Sequence, residues 1–418
     1  MRRDPYATRV VITGLGTVNP LGHTIGEFWE NLTAGRSGIR LARHTDLDGF
    51  PVRIGGEVDL PDLAPYFLHP KMIRRLDRFI VFSQIAGAQA LRDSGLEVAR
   101  APRRFGAVIG TGDAGVGVQF ANVSTVLQKG MESVSPFYVV GTIPNTAAGY
   151  LATEYGLQGP NFTVNSACAS SNHALGLAAM MIKLGEADAM LAGGAEAVVN
   201  TMGFAGFGVI RALSERNDSP ETASRPFDKD RDGFVLGEGA GVLCLEELEH
   251  ARRRGARIYG ELSGWGFTCD AHDLVAPHPE GRGAVEAMNL ALESARLEPG
   301  DIDLINAHGT STPLGDLSES RAIGKVFREH TPDIPVHSTK SMIGHLVGAG
   351  GGVEAIAGLL AVDKGIIHPT INQFEQDPEI HLHVVRNQAR EAEVGHFLSN
   401  SFGFGGQNAS VVISKFKG

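Results

Sequence analysis

Cys168, His308 and His345 each stand next to a turn rich in small residues and glycine. Cys168 lies in VNSACASSNH, between the β-prone NFTV and the apolar HALGLAAMMIKLG. A thiol at a strand-to-helix turn meets the positive end of aligned peptide dipoles. That position predicts a pKa below the free value of about 8.5 and a reactive thiolate. Ala167, Ala169, Ser170 and Ser171 are small and are expected to let a substrate approach. His308 follows DLINA and precedes GTSTPLGD, at the carboxyl end of a strand, where ligands of α/β proteins gather. His345 lies in STKSMIGHLVGAGGGVEA, five positions after Lys340. Taken singly, each has an ordinary explanation, because free cysteines mostly pack in cores and lone histidines mostly serve structure or surface. Together they form a Cys-His-His set whose neutral imidazole N–H groups could stabilise an enolate or oxyanion. Lys340 could hold a histidine in place or bind a carboxylate through water. Cys244, in the buried-strand pattern GVLCLEE, and Cys269, in a loop within GFTCDAHD, lack this setting and are expected to be inert.

Short apolar runs alternate with longer helical patterns. RVVITGL (9–15), FGAVIG (105–110), NFTV (161–164) and AMLAGG (189–194) read as strands, and QIAGAQALRDSG (84–95) and HALGLAAMMIKLGEA (173–187) as helices. The alternation implies an α/β fold with buried sheets. The pattern then restarts. RIYGELSGWG (257–266) echoes the opening RVVITGLG, and DLINAHGT (303–310) ends like FGAVIGTG (105–112). HFLSNSFGFGG (396–406) and ASVVISKF (409–416) add further strands. The chain reads as two pseudo-repeated halves, 1–255 and 256–418.

The 418 residues suffice for a large core, and 54 of them are glycine, which predicts many tight turns. The net charge of −10 argues against a nucleic-acid binder. Three scattered cysteines suggest neither a disulfide framework nor a zinc site and fit a reducing compartment such as the cytoplasm. The start lacks an apolar signal region, and no uninterrupted apolar run is long enough to span a bilayer. Two motifs invite other readings. GTGDAG (110–115) matches the G-x-G-x-x-G of dinucleotide sites, but GVGVQFANV after it opens a poor helix and Glu132 does not end a second strand. DKDRDGF (228–234) resembles a calcium loop, but the twelfth position is Gly239 instead of glutamate, so a turn held by aspartate side chains is expected.

GPNFTVNSACASS, RPFDKDRDGFVLGEGAG, NAHGTSTPLGD, STKSMIGHLVGAGG and SNSFGFGG resemble, in order and across essentially the whole chain, the signature segments of β-ketoacyl-acyl-carrier-protein synthases, most of all the elongating type II enzymes. The resemblance implies a thiolase-like fold, in which two duplicated halves form a five-layered α-β-α-β-α sandwich. It implies a homodimer joined through the strand around Phe162 to Val164, and acyl carrier protein as partner. It implies no cofactor beyond the phosphopantetheine that the carrier brings. On the matching positions, Cys168 takes the acyl chain as a thioester, and His308 and His345 stabilise the enolate formed when the malonyl group loses carbon dioxide. Lys340 stands beside them. The backbone N–H groups of Cys168 and Phe404 form the oxyanion hole. Phe404 gates the acyl pocket, and Asp270 lies in a loop that moves with it. Asn306, Glu354, Ser399 and Asn400 match positions that hold an optional structural monovalent cation in some members. Lys71, Arg74 and Arg75, in HPKMIRRLDRF, match a docking helix for the acidic carrier, with Arg78 continuing the helical spacing; Arg211 matches another docking cation.

The chain also departs from the pattern. Asp113 falls where the family lines the acyl pocket with an apolar or small residue, and an unpaired carboxylate against an alkyl chain is costly. Glu132 and Ser133 replace a basic pair, and GGQN replaces GGTN. Three readings are open on these residues: a condensing enzyme of fatty acid synthesis, a polyketide or polyene ketosynthase, and a chain-length partner subunit without catalysis. The presence of Cys168, His308 and His345 argues against the last. A thiolase would carry a second cysteine in SNSFGFGGQN, and an initiating ketosynthase would pair one histidine with asparagine.

Overall fold

In the computed structural model, which describes residues 3–418, the β-prone runs join one eleven-stranded mixed sheet. Its strands are β1 (Val10–Val18), β2 (Phe105–Gly110), β3 (Asn161–Val164), β4 (Ala189–Glu196), β5 (Gly239–Glu247), β6 (Gly260–Cys269), β7 (Leu304–Asn306), β8 (Pro335–His337), β9 (His383–Val384), β10 (His396–Gly403) and β11 (Gln407–Ser414). The spatial order is β3-β2-β4-β5-β1-β6-β11-β10-β7-β8-β9. Read outward from the central β1/β6 pair, the two sides follow one rule. β1, β5 and β4 run antiparallel in turn and lead to the parallel β2 and β3, and β6, β11 and β10 lead likewise to the parallel β7 and β8. The sides join through a short antiparallel contact that sets Val11 opposite Glu261 and Ile12 opposite Gly260.

Helix packing repeats as well, and glycine shows why the sequence echoes itself. The outer helix α1 (Arg78–Ser94) lies on β1, and α3 (Arg282–Ala295) lies on β6. A Cβ at Gly16 of β1 would sit 2.0 Å from the Ala86 carbonyl oxygen, and one at Gly266 of β6 would sit 2.0 Å from that of Ala287. The shared G-x-G of the two segments is therefore a requirement for helix and strand backbones to touch. Between the two sides of the sheet lie α2 (Ser170–Lys183) and α4 (Gly350–Lys364), which pack on each other and on strands of both halves. The result is five layers: α1, the first-half strands, α2 with α4, the second-half strands, and α3. The helix α4 is buried from Gly350 to Val362, which accounts for its apolar character on every side. Among the described residues no helix is long and apolar enough to cross a membrane.

Candidate active site

Cys168 sits between β3 and α2. The turn that joins them holds Ala167 at φ 48°, a left-handed conformation that a residue with a Cβ adopts only at a cost. Ser170 secures it: its Oγ accepts from the Ser166 amide (2.9 Å) and donates to the Ala167 carbonyl (2.6 Å). Of the small neighbours, Ala167 is half-buried, and the other three do not open the site to substrate as their size suggests. Ala169, Ser170 and Ser171 are fully buried. Strand and helix backbones press together here: a Cβ at Gly110 would lie 2.5 Å from the Ser170 carbonyl carbon, and one at Gly194 would lie 2.2 Å from Ser171 Oγ.

The histidines converge on the sulfur from the second half. His345 Nε2 is 3.1 Å from Cys168 Sγ, and the His308 and His345 rings meet edge to face at 5.3 Å. One nitrogen from each ring and the sulfur lie within 4.8 Å of one another. His308 follows β7, and its loop is held by a carboxylate absent from the sequence-based set. Glu319 accepts the backbone N–H of His308 (2.8 Å) and of Gly309 (2.7 Å). The only trace of Glu319 in the sequence is an acid on a helix face that is otherwise buried. His345 is fixed through its own backbone, donating to the Val235 carbonyl at 2.7 Å.

Lys340 is 2% exposed and ion-paired with the fully buried Glu354. Burial, helped by the Lys340 charge, holds both catalytic-site imidazoles well below their ordinary pKa. They are neutral at pH 7, as the enolate-stabilising reading requires. The thiol is a correction. Burial pushes Cys168 up to about 12, against the opposing pull of Lys340 and of the Phe404 N–H. Desolvation of a thiolate that is 9% exposed outweighs the dipole of α2. The resting group is a thiol hydrogen-bonded to His345.

Phe404 lies in the β10–β11 hairpin, where Gly405 and Gly406 take φ of 83° and 73°. Its ring rests 6.1 Å from that of Phe207, which meets Phe234, which meets His345 edge-on at 5.3 Å. Sequence spacing gave no sign of this aromatic row. Asp270 ties the neighbouring loop to the hairpin: its amide donates to Gly406 O (2.7 Å), and its carboxylate accepts from Asn408 Nδ2 (2.9 Å) and the His278 amide (3.1 Å). A cavity of about 370 Å³ opens onto Cys168, His308, His345, Phe404 and Asp270, with Arg211 at its exposed rim.

Asp113 does not line this cavity. It lies in the GTGDAG turn, whose Gly112 and Asp113 amides donate to Glu196 at 2.6 and 3.2 Å. A helix does follow that turn, Val116–Lys129, contrary to the poor helix the sequence suggests. What removes the nucleotide reading is Glu196, a carboxylate seated where a phosphate would bind. The DKDRDGF segment is the expected aspartate-held turn, with Asp228 accepting the amides of Asp230, Phe374 and Glu375.

Of the four residues matched to a cation site, three meet. Asn306 Nδ2 donates to Ser399 Oγ (3.0 Å) and to Glu354 Oε2 (3.4 Å). The Asn400 side chain, one residue on in β10, points to the opposite face of the strand and takes Ser410 Oγ (2.7 Å) and Glu319 as partners. Lys71, Arg74 and Arg75 are exposed, on a 3-10 segment Pro70–Arg75 that ends before α1. Arg75 lies over the Phe137 ring at 4.2 Å. Arg78 does not continue that row, because it begins α1 and its guanidinium is taken by the buried Glu238 and the Val58 carbonyl.

Residues 7–251 match the model of the β-ketoacyl synthase N-terminal domain, and residues 259–374 match that of its C-terminal domain. The chain belongs to the β-ketoacyl synthase family. Within it, the chain is similar to the 3-oxoacyl-[acyl-carrier-protein] synthase 2 of Synechocystis sp., with 46% identity over 98% of each chain. It is also similar to the enzyme of that name from Coxiella burnetii, with 45% identity over 97% of this chain and 98% of the relative. Among solved structures, the ishigamide ketosynthase/chain length factor superposes with a TM-score of 0.92 at 35% identity, covering all of both chains. The family's thiolase-like architecture is the five-layered arrangement described above.

Proposed function

We propose that the chain is a 3-oxoacyl-[acyl-carrier-protein] synthase that elongates fatty acyl chains by two carbons. The observation that carries this reading is the 3.1 Å contact of Cys168 Sγ with His345 Nε2 beside a second neutral imidazole. Cys168 attacks the thioester of acyl-carrier protein and passes its proton to His345. The carrier thiol leaves with a proton, and the acyl chain stays on sulfur. Malonyl-carrier protein then enters. Its bond to the carboxylate breaks, carbon dioxide departs, and the electron pair becomes an enolate whose oxygen takes N–H bonds from His308 and His345. The nucleophilic carbon attacks the acyl-Cys168 carbonyl, and the oxyanion faces the amides of Cys168 and Phe404. Collapse expels the Cys168 thiolate, releases the 3-oxoacyl product on its carrier, and a proton taken up from solvent restores the thiol. No step calls for a redox group or a metal; burial keeps both imidazoles neutral, and the Lys340 charge adds to it. Asp270 steadies the Phe404 hairpin between openings. The Asn306–Glu354–Ser399 cluster serves as a hydrogen-bonded brace; a monovalent cation there is optional.

The same reading makes the chain a cytoplasmic homodimer. β3 is an edge strand with only β2 beside it, and the helix Val116–Lys129 with the turn after it leaves Phe120, Leu127 and Met131 exposed. The halves divide near residue 255. The polyketide alternative has a close structural likeness behind it, but at lower identity than the 3-oxoacyl-[acyl-carrier-protein] synthases.

The purified chain, given malonyl-carrier and a panel of acyl-carrier proteins, is expected to form 3-oxoacyl-carrier and equal carbon dioxide with saturated chains. Condensation with none of them overturns the reading. Asp113→Ile in the same panel reports whether that carboxylate sets chain preference.

The carrier is acidic, so reversing Lys71 or Arg74 to glutamate should raise KM for it about fivefold or more, ~1 kcal/mol, with kcat unchanged. Arg78→Glu should instead lower the thermal midpoint, since it would face the buried Glu238. Equal effects of all three on KM alone would remove the distinction.

A further inference from the structure

Behind the site lies a pair of imidazoles that the reaction does not use. His337, the last residue of β8, and His368 are both fully buried and stack at 3.8 Å with their planes 17° apart. Among the described residues His337 Nε2 has no partner. Two aliphatic side chains would fill this volume without burying an unpaired polar nitrogen, which is unfavourable. The polar atoms of His368 are used directionally. Its Nδ1 lies 2.9 Å from the Pro369 carbonyl, which can only accept, so Nδ1 carries the proton. Nε2 of the neutral ring then accepts from the Thr339 hydroxyl at 3.0 Å.

Thr339 immediately precedes Lys340, and its Oγ1 also approaches Asn306 Oδ1 at 3.5 Å. Asn306 reaches Glu354, and Glu354 holds Lys340. The adjoining Ser338 is clamped too: its hydroxyl donates to the Gly309 carbonyl in the His308 loop at 2.7 Å, and its amide donates to Thr370 Oγ1 at 2.9 Å. The stretch from His337 to Lys340 is thus gripped between the His308 loop and the segment that carries His368.

We propose that His368, acting through Thr339, is a positioning residue for Lys340 in the malonyl-decarboxylation half-reaction. It touches no substrate. It fixes where the ammonium sits, and so the field felt by His308 and His345. The proposal rests on the condensing-enzyme reading of those residues.

The test separates the half-reactions. Cys168 acylation by acyl-carrier protein is followed by intact mass, and carbon dioxide release from malonyl-carrier protein is followed independently. His368→Leu and Thr339→Val should each slow decarboxylation about tenfold, the scale of small misplacements at a reacting centre, and leave acylation within about twofold. The double variant should be no slower than the slower single one, because both cut the same link. His368→Gln, whose Oε1 can accept from Thr339, should recover most of the rate. Wild-type decarboxylation in Thr339→Val or His368→Leu overturns the proposal. So does a common fall of both half-reactions and of thermal stability that glutamine does not rescue. Lys340→Met is the control. If it alone slows decarboxylation, the condensing-enzyme reading stands and only the role of His368 falls; if it does not, the role of Lys340 falls, and the proposal with it.

Discussion

Cys168→Ser, incubated with acyl-carrier protein, is expected to show no added acyl mass. Serine is close in size to cysteine, and the turn is held by Ser170 and by the Ala167 backbone, so the fold should be unchanged. What changes is the nucleophile. The thiol hands its proton to His345 across 3.1 Å, in a site where burial already disfavours the anion. A serine hydroxyl is far harder to deprotonate, and neither neutral imidazole has a carboxylate behind it to strengthen it as a base: among the described residues His308 Nδ1 and His345 Nδ1 are without a partner. Transfer should fall roughly a thousandfold or more, the scale seen when a nucleophile is removed. The exposed Cys269 provides the contrast, and Cys269→Ser should acylate at the wild-type rate. Acylation of Cys168→Ser equal to wild type would sink the nucleophile assignment.

His308→Ala should divide the reaction. Acylation survives, because the nitrogen beside the sulfur belongs to His345. Decarboxylation should drop about 10²- to 10³-fold, the cost of removing one donor from an oxyanion site. The loop should hold its course, since Glu319 binds the backbone amides of residues 308 and 309 and not the ring. Carbon dioxide release from malonyl-carrier protein, measured beside intact mass, decides the matter. Undiminished release would take His308 out of the enolate step. His345→Ala, in contrast, should slow both halves.

The convergence of Cys168, His308 and His345 and the duplicated layout were legible because each has a local signature. β2 and β3 begin and end where the β-prone runs do, and the G-x-G echo marks the two helix-on-strand contacts. The thiol pKa was not legible, since it depends on how much water the finished fold excludes from Cys168. Helical spacing placed Arg78 with Lys71, Arg74 and Arg75, but a break at Leu76 and Asp77 starts a new helix, and Glu238, far away in sequence, claims the guanidinium. The helix Val116–Lys129 departs from the sequence reading: its β-branched residues and glycine lower intrinsic propensity, and none of its residues is buried. Glu319, Glu196 and the Phe207–Phe234 row act through contacts between distant segments that no local pattern reports.

The thiol belongs to the first half of the chain and both imidazoles to the second, and the two halves meet through a brief strand contact, the paired central helices and loop hydrogen bonds such as that of the His345 amide to the Val235 carbonyl. The reacting atoms therefore straddle a seam. Neither half, expressed alone, could hold the reaction, and the chemistry works as a logical conjunction of the two. Loosening α2 against α4 would silence the centre without altering any group that touches substrate. Turnover in this molecule is at the same time a gauge of whether its two copies of one architectural plan are closed on each other.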